Sequence, residues 1–339
     1  MIKVKNSPNL PDWVPNLGDF KNFRTSTNPI LVKVRRFGYG NMFVYFFLIL
    51  ISYQFVYPLL RMVSFTLMSP EDVVNPAVNW IPQDWNFENL RIGWRVMEPI
   101  RTIFHSTWFS GLLAIGSTIV AATTGYAFAR FEFPLKKLWF ALIIIAFILP
   151  RPVVIIPQTM MAINITGATG FRLIGTPWPQ IAMAFMGQGV FSTILILIFY
   201  NFIKMIPGAL DEAASIDGAS SLQIFYHIVL KLSLTTILVV FIFSFVWNWN
   251  ETYVTGVFLR GNLPLVPERL ENFATYFERL EDVTMDIGAG DYVDPIALRL
   301  NEALRMSGTL ISMFPLFILY MCVQKQFIKG IENTGLTGI

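Results

Sequence analysis

Six long apolar segments, separated by polar stretches, set the pattern of the chain. Each has roughly 20 mostly apolar residues, enough to cross a hydrocarbon core about 30 Å thick as a single α-helix. The predicted spans cover residues 43–66, 108–129, 138–157, 179–203, 233–257 and 306–327. The pattern therefore predicts an all-α polytopic membrane protein with six transmembrane helices.

The composition agrees with this fold class and narrows the chemistry. Of the 339 residues, 54% are hydrophobic and only 14% are charged, against about 25% charged in a typical soluble domain. The single cysteine, Cys322, excludes an intramolecular disulfide and a multi-cysteine metal site. The sequence also contains no zinc motif, nucleophile elbow or phosphate-binding glycine loop, so it predicts neither a catalytic nor a metal centre.

Basic residues predict the orientation of the spans. Every lysine lies in the tail before the first span or in the segments that follow the second, fourth and sixth spans. With six spans these segments share one side, and the positive-inside rule places that side, with both termini, in the cytoplasm. The first forty residues are polar and basic, so we expect an uncleaved anchor rather than a cleavable signal peptide.

These spans divide the chain into a core and its appendages. The predicted parts are a cytoplasmic tail (1–40), a transmembrane domain (41–330) with external loops 67–104 and 259–303 and a cytoplasmic segment 206–230, and a C-terminal tail (331–339).

Both external loops contain features of their own. The first holds Trp80, Trp85 and Trp94 with several prolines, which is typical of a partly ordered loop at the membrane interface. The second contains the stretch "PERLENFATYFERLED". Its apolar residues recur at helical spacing and are Leu270, Phe273, Tyr276, Phe277 and Leu280. Two interpretations remain for this helix: it lies on the membrane surface, or it docks an external partner.

A short acidic stretch, "DEAASIDGASS" (211–221), interrupts the apolar pattern between the fourth and fifth spans. Pro207 suits the first turn of a helix, and Asp211 and Glu212 favour the positive end of its dipole. Gly218 supplies the left-handed conformation that ends a helix. The stretch is thus predicted to form a helix, a sharp turn and a second helix on the cytoplasmic side.

The second helix of this segment is predicted to begin with a capping box. Ser220 is followed three residues later by Gln223, which is the required spacing. Helices this short are marginal in water, so the segment needs a surface to pack against. That surface is either the protein's own membrane interface or a groove on a cytoplasmic subunit, where Glu212 meets a basic residue.

The stretch "EAASIDGASSLQIFYHIVL" resembles the cytoplasmic loop of binding-protein-dependent ABC importer permeases. The matching residues are Glu212, Ala213, Ala214, Asp217, Gly218, Ala219, Phe225, Ile228 and Leu230. Three further stretches, "GYAFARFEFPLKK", "ILPRPVVIIPQTM" and "VWNWNETYVTGVFL", resemble parts of the second, third and fifth spans of maltose-type carbohydrate permeases. The resemblance covers residues 40–335. It departs from the family at Lys231 and Thr235, where proline is usual, and in the longer external loop.

The resemblance implies a division of labour among subunits. This chain would pair with a second homologous permease in a bacterial-type cytoplasmic membrane and bind no cofactor or nucleic acid. Two ATP-binding cassette ATPase subunits would bind ATP and Mg, and an external solute-binding protein would deliver a sugar. The residues implied in ATPase coupling are Glu212, Ala213, Ala214, Asp217, Gly218 and Ala219.

Polar residues within the spans are candidates for the solute path, since such residues tend to face a cavity or a partner helix. Asn248, Asn250 and Gln188 could hydrogen-bond sugar hydroxyls. Glu251 and Trp249 lie near the outer end of the fifth span, where an outer gate or binding-protein docking is expected; an ordinary aromatic belt is the alternative for Trp249.

Other functions remain open at this level. The same family could carry a polyol phosphate or a polyamine, but Arg151 is almost alone as a basic residue within the spans, which favours a neutral sugar. An ATP-independent secondary transporter would usually show a paired repeat, and a membrane scaffold would leave the Glu-Ala-Ala segment unexplained.

Overall fold

A computed structural model of the chain describes residues 39–286 and 302–335. Most of the two predicted tails and the last part of the second external loop lie outside these residues. The chain divides into two compact units, one extending to Arg61 and the other beginning at Met62. The described residues are mostly helical, and their β-structure is confined to one isolated bridge between Met68 and Trp85.

The helices are numbered in chain order. They are α1 (Tyr39–Thr66), α2 (Pro70–Val74), α3 (Glu88–Met97), α4 (Pro99–Arg130), α5 (Lys136–Ile148), α6 (Arg151–Thr169), α7 (Trp178–Phe185), α8 (Ser192–Met205), α9 (Ala209–Ile216), α10 (Ser221–Ile224), a π-helix (Phe225–Val229), α11 (Leu230–Leu232), α12 (Leu234–Trp249), α13 (Tyr253–Leu259), α14 (Val266–Glu271), α15 (Phe273–Asp286) and α16 (Glu302–Gly335).

Three of these helices, α1, α4 and α16, are each long and apolar enough to cross a membrane. Three bent helix pairs raise the number of possible spans to six by length and composition. The helical membrane fold is therefore confirmed, and the placement of both termini in the cytoplasm stays a prediction.

The third predicted span is not the continuous helix expected over residues 138–157. The axes of α5 and α6 differ by 102°, and the bend lies at Leu149 and Pro150. Pro150 and Pro152 explain the break, because proline lacks an N–H and restricts the residue before it to extended conformations.

The fourth predicted span is also interrupted. Helix α7 ends at Phe185 and α8 begins at Ser192, with left-handed backbone at Gly187 (φ 77°) and at Phe191 (φ 51°) between them. Gly187 accepts this conformation because it has no side chain. The break takes the backbone of residues 186–191 out of the regular helical hydrogen-bond pattern in the middle of an apolar segment.

The entry to the fifth span bends without proline. The helical stretch Ser221–Leu232 meets α12 at 78°, although Lys231 and Thr235 occupy the positions where proline is usual in the family that the sequence resembles. The π-helix precedes the bend, and Ser233 at the junction has a non-helical ψ of 7°. The span also ends at Trp249, earlier than predicted, before α13 resumes at Tyr253.

Helix α4 lies at the centre of the second unit and packs against α7, α8 and α12. Its glycines permit this close approach: a Cβ added at Gly125 would lie 2.7 Å from Cβ of Phe199, and one at Gly116 would lie 2.6 Å from the Phe185 ring. A Cβ added at Gly111 would have no such neighbour within 4 Å. Small residues in α4 thus fix its distance from two neighbouring elements.

The amphipathic stretch of the second external loop packs against the chain itself. It forms α14 and α15, and the Phe273 and Phe277 side chains are only 3% and 2% exposed. They join a core cluster with Trp249 and Leu304, and α15 packs against α3. The chain itself therefore covers Phe273 and Phe277, and the location of the helix on the membrane surface or against an external partner stays a prediction.

Candidate functional site

The segment between the fourth and fifth spans has the predicted local structure. Helix α9 ends at Ile216, and Gly218 follows with a φ of 84°. A Cβ at Gly218 would meet nothing within 4 Å, so glycine is required there by backbone conformation and not by crowding. The chain then turns directly into α10, which gives two short helices joined by a tight turn.

The start of α10 is a complete capping box, as the sequence predicts. The Ser220 hydroxyl accepts from the Gln223 backbone N–H at 3.4 Å, and Gln223 Oε1 accepts from the Ser220 N–H at 2.7 Å. These two bonds satisfy backbone donors that the end of a short helix would otherwise leave exposed.

An arginine at the end of α4 holds this segment in place. Arg130 Nε lies 2.7 Å from Asp211 Oδ2 in an ion pair that is more than four-fifths buried. Arg130 Nη2 also donates to the Ile206 carbonyl at 2.8 Å. One turn earlier, the Tyr126 hydroxyl donates to the Ser221 carbonyl at 3.3 Å. The two halves of the segment are therefore each tied to the same helix.

Sequence reasoning missed this attachment. It assigned Asp211 to the helix dipole alone, although Arg130 and Tyr126 both lie in the stretch "GYAFARFEFPLKK" that resembles the related permeases. A charged residue at the end of an apolar span was the available signal. Its partner, 81 positions away in sequence, could be identified only from the fold.

The residues predicted for ATPase coupling divide into an outer and an inner set. Glu212, Ala213, Asp217 and Gly218 are exposed, whereas Ala214 and Ala219 pack against the core cluster that includes Phe199 and Val229. Four large apolar side chains are also exposed on the segment, namely Leu210 (44%), Ile216 (87%), Leu222 (69%) and Tyr226 (60%). The segment thus presents a mixed acidic and apolar surface while its small residues anchor it.

A second group of polar residues meets around the break in the fourth span. Gln188 and Asn248, both predicted for the solute path, line one narrow cavity together with Arg151, Gln158 and Gln180. A larger cavity of about 170 Å³ continues from Arg151, Gln158 and Gln188. The structure therefore brings two of the three predicted path residues together and adds three polar groups from other helices.

These polar groups are held by local hydrogen bonds. The Asn248 amide donates to the Ser244 carbonyl at 2.8 Å, and Gln180 Nε2 donates to the Thr255 hydroxyl at 3.2 Å. Arg151 Nη2 donates to the Gly189 carbonyl at 3.3 Å, within the break. The same carbonyl also accepts from the Ser192 hydroxyl at 3.0 Å, so Arg151 and the start of α8 share one backbone acceptor within the break.

The remaining candidates lie elsewhere. Asn250 is exposed, and its amide donates to the Val246 carbonyl at 2.8 Å; it does not line the cavity. Trp249 is 2% exposed within the outer core cluster, so it has no surface to offer a docking partner or the lipid interface. Glu251 Oε1 accepts from the Val254 N–H at 2.7 Å and so caps the first turn of α13.

A second arginine anchors α14 and α15. Arg269 Nε donates to the Val96 carbonyl at 2.6 Å, and its Nη2 donates to Glu98 Oε1 at 2.6 Å. The guanidinium also lies over the Tyr276 ring, 4.4 Å from its centroid. The Tyr276 hydroxyl in turn donates to Glu268 Oε1 at 3.0 Å, and burial raises the pKa of the Glu268 carboxyl. This network joins α14 and α15 to the start of α4.

A large apolar groove of about 1050 Å³ adjoins the polar cavity. Its walls include Met161, Trp178 and Phe185, and it shares Gln158 and Gln188 with the polar cavity. The polar groups thus stand at the edge of a broad apolar surface.

Known proteins with similar sequences are transport permeases. A probable ABC transporter permease of Bacillus subtilis, YurM, is 26% identical over 90% of this chain and 92% of its own length. The sn-glycerol-3-phosphate transport system permease UgpE of Pectobacterium atrosepticum is 25% identical over 78% of this chain and 86% of its own. A probable ABC transporter permease of Pyrococcus horikoshii is 33% identical, over 44% of this chain and 52% of that protein.

A solved structure has the same fold. It is a chain of a bacterial ABC transporter involved in the import of the acidic polysaccharide alginate, with a TM-score of 0.62 and 18% identity over 86% of this chain and 97% of that one. Residues 121–333 match the binding-protein-dependent transport system inner membrane component family. That match covers most of the chain and includes both the exposed segment and the polar cavity. The protein belongs to this family of ABC importer permeases, a membrane transport component rather than an enzyme.

Proposed function

We propose that the protein is the permease subunit of an ATP-driven importer and forms, with a second homologous permease, an alternating-access path for a sugar or oligosaccharide. An external solute-binding protein delivers the solute, and two ATPase subunits on the cytoplasmic side bind ATP and Mg. The chain itself binds no nucleotide. The membrane is the cytoplasmic membrane of a bacterial-type cell, with both termini inside.

One observation carries the coupling part of this proposal: the exposed surface formed by α9 and α10. Leaving Ile216 and Leu222 in water is unfavourable, so a partner that covers them gains apolar burial. The exposed Glu212 beside them can form a charge-assisted hydrogen bond with a basic group of that partner. An ATPase subunit with a groove that fits two short helices is the partner we propose.

The attachment of this segment explains how movement reaches the membrane. Arg130 and Tyr126 tie it to the end of α4, a helix of 32 residues and therefore about 48 Å long. When the ATPase pair closes on ATP, the segment moves as a rigid body and takes this end of α4 with it. Since α4 packs on both α8 and α12, the displacement acts on α12, which carries Asn248, and on α8, which directly follows the break that contains Gln188.

The solute part of the proposal is supported by the polar cavity. Amide groups of Gln188 and Asn248 can donate to and accept from hydroxyl groups, as sugar recognition requires. The relative named as an sn-glycerol-3-phosphate permease also handles a small polyhydroxylated solute, and this supports the same solute class. Asn250 and Glu251 are left for an outer gate or for contact with the binding protein.

The test begins with purification of the chain from its native membrane in mild detergent, with mass spectrometry of the bound proteins. We expect a second permease and an ATPase. The Glu212→Lys and Gly218→Asp variants should lose the ATPase or uncouple its hydrolysis from uptake, because one reverses the docking charge and the other strains the turn. Glu278→Lys, an equally drastic change at an exposed glutamate on α15, should retain the ATPase.

Two results would contradict the proposal. If the chain purifies alone from its native membrane and transport proceeds without ATP, a secondary transporter is the better description. If both segment variants retain the ATPase and transport at the normal rate, the docking role of α9 and α10 is wrong.

A further inference from the structure

The cavity beside Arg151 lies where two helices begin. Helix α6 starts at Arg151 and α8 at Ser192, and the cavity of about 170 Å³ is lined by Arg151 and Val154 of the first and by Phe191, Ser192 and Thr193 at the start of the second. The helix dipole places a partial positive charge at each start, although Pro152 has no N–H and the N–H groups of Val153, Ser192 and Ile194 already donate to the Pro150, Gly189 and Phe191 carbonyls. Two such ends and a guanidinium make this cavity electropositive.

Arg151 retains hydrogen-bonding capacity toward the cavity. A guanidinium has five N–H donors, and the side-chain hydrogen bond seen for Arg151 is the one to the Gly189 carbonyl. Within the part of the chain that the structure describes, no carboxylate forms an ion pair with it within 4.0 Å. Glu251 is the carboxylate whose charge acts on it, and one oxygen of Glu251 is engaged by the Val254 N–H.

Gln180 contributes a buried acceptor to the narrow cavity that Arg151 also lines. Gln180 is 5% exposed, and its Nε2 donates to Thr255. Its Oε1 is buried and has no hydrogen-bond partner in the described structure, although it borders the narrow cavity that Arg151 and Gln188 also line. A buried carbonyl without a donor is unfavourable, and a hydroxyl group of a bound solute would supply the donor.

The negative end of a third helix also reaches this cavity. The last turn of α5 contributes Ala146 and Phe147, whose side chains are apolar. Thr193 donates from its hydroxyl to the Ile143 carbonyl at 3.1 Å, one turn before that end. The charged group lining the cavity remains Arg151.

We infer that the transported solute carries an anionic oxygen group, either a carboxylate or a phosphate, which binds at Arg151 between the first turns of α6 and α8. A hydroxyl group of the same solute donates to Gln180 Oε1. The inference rests on the proposed function and narrows the solute from sugars in general to polyhydroxylated anions. It also replaces the preference for a neutral sugar, because that preference assumed no basic cavity.

The experiment uses the whole transporter, purified with the subunits that accompany this chain and reconstituted in liposomes with its solute-binding protein. ATP-dependent uptake is measured for glucuronate and glycerol 3-phosphate and for their uncharged counterparts, glucose and glycerol. Arg151→Gln and Arg151→Lys are compared with Arg172→Gln, which removes an exposed arginine that does not line the cavity.

We expect uptake of at least one of the two anions, and which one is taken up distinguishes a carboxylate from a phosphate. Arg151→Gln should reduce that uptake roughly 10- to 100-fold, in keeping with the loss of a charge-assisted hydrogen bond. Arg151→Lys should keep part of it because the charge remains, and Arg172→Gln should leave it unchanged. Gln180→Leu, which removes the acceptor, should weaken uptake of the same anion while ATP hydrolysis persists.

Other results would overturn the inference. Uptake of the neutral solutes alone, or anion uptake that Arg151→Gln leaves intact, shows that Arg151 is no anion site. ATP hydrolysis without uptake of either anion counts against it as well, and in each of these cases the importer function stands. Failure of the proposed function looks different, since no ATPase then accompanies the chain and no uptake depends on ATP.

Discussion

The two ends of α4 are both held by an arginine–carboxylate pair, but the two pairs serve different surroundings. At the beginning of the helix, Glu98 meets Arg269 of α14; Arg269 is largely buried by the chain's own side chains, whereas Glu98 is partly exposed. At the end, Arg130 meets Asp211 of α9, and the elements beyond it expose apolar groups. One end is therefore complete within this chain, and the other is prepared for a partner.

The comparison shows that the role of an arginine–carboxylate pair depends on the surface next to it. Arg269 is 9% exposed and also bonds a backbone carbonyl and covers an aromatic ring, so its role is to fix the outer elements. Arg130 fixes a segment whose neighbour Ile216 is 87% exposed, and such a contact orients a surface rather than closing a core. We therefore expect loss of the Glu98–Arg269 pair to lower the stability of the protein. Loss of the Arg130–Asp211 pair should instead lower solute uptake per ATP hydrolysed.

The largest effect should follow Arg269→Ala. The change removes two hydrogen bonds of 2.6 Å and leaves the Val96 carbonyl without its donor. Hydrogen bonds to charged groups contribute about 1.5–3 kcal/mol, and the partial exposure of Glu98 keeps the expected loss within that range. The thermal unfolding midpoint of the purified transporter measures it.

Arg279→Ala is the matched control for that change. Arg279 is an exposed arginine whose guanidinium lies 5.7 Å from the same Tyr276 ring. Its removal should shift the unfolding midpoint by much less. Equal shifts would mean that the buried contacts of Arg269 do not stabilise the outer elements.

The next effect is expected for Arg130→Gln. It removes the charge that pairs with Asp211, with an expected cost of about 1–2 kcal/mol to the attachment of α9, because the pair is largely buried. Because we propose that the attachment transmits motion, we expect ATP hydrolysis to continue while solute uptake per ATP falls. Lys136→Gln is the control, because its partner Glu132 is 88% exposed and such pairs contribute little. An unchanged ratio of solute uptake to ATP hydrolysis in Arg130→Gln would contradict the proposed transmission of motion from α9 to α4.

Local features of the segment formed by α9 and α10 could be predicted from sequence, and its long-range contacts could not. Gly218 and the pair Ser220 and Gln223 act over three or four residues, so their residue types suffice to predict the turn and the cap. The ion pair of Arg130 with Asp211 depends on how α4 and α9 are placed by the whole fold.

The spans show the same limit. Their number and apolar character follow from hydrophobic length, but the interruptions near Pro150 and Gly187 were not predicted, although proline and glycine are the residues that break helices. These breaks are what bring Arg151, from one span, to the Gly189 carbonyl of another. The polar cavity could therefore be only half predicted, through Gln188 and Asn248.

A similar or smaller effect is expected for Gly218→Ala, in the turn between α9 and α10. A left-handed residue with a Cβ costs about 1–2 kcal/mol, and with open space around it there is no clash to add. Gly218→Asn should cost less, because asparagine tolerates this conformation. Gly167→Ala, at an equally open site inside α6, should be neutral or stabilising. Uptake and ATPase retention, measured for all three variants, separate turn geometry from the docking charge of Glu212.

The smallest effect is a pH dependence of stability that arises from Glu268, near the beginning of α4. Burial raises the pKa of the Glu268 carboxyl above its ordinary value of 4.5, against the opposing effects of the Tyr276 hydroxyl and of Arg269. The folded state then binds its proton more tightly than the unfolded state does. The stabilisation is therefore fully present below pH 4.5 and is lost as the pH rises through the folded-state pKa.

Glu268→Gln should remove this dependence, since an amide does not titrate. The difference in unfolding midpoint between the unaltered transporter and the Glu268→Gln variant should thus change steadily as the pH rises from 4.5, in the direction of lower relative stability for the unaltered transporter. Glu278→Gln, an exposed change on α15, should give a difference that is flat over the same range. A flat difference for Glu268→Gln as well would mean that its carboxyl is not desolvated. The outer network would then be held by Arg269 and Glu98 without a contribution from the Glu268 proton.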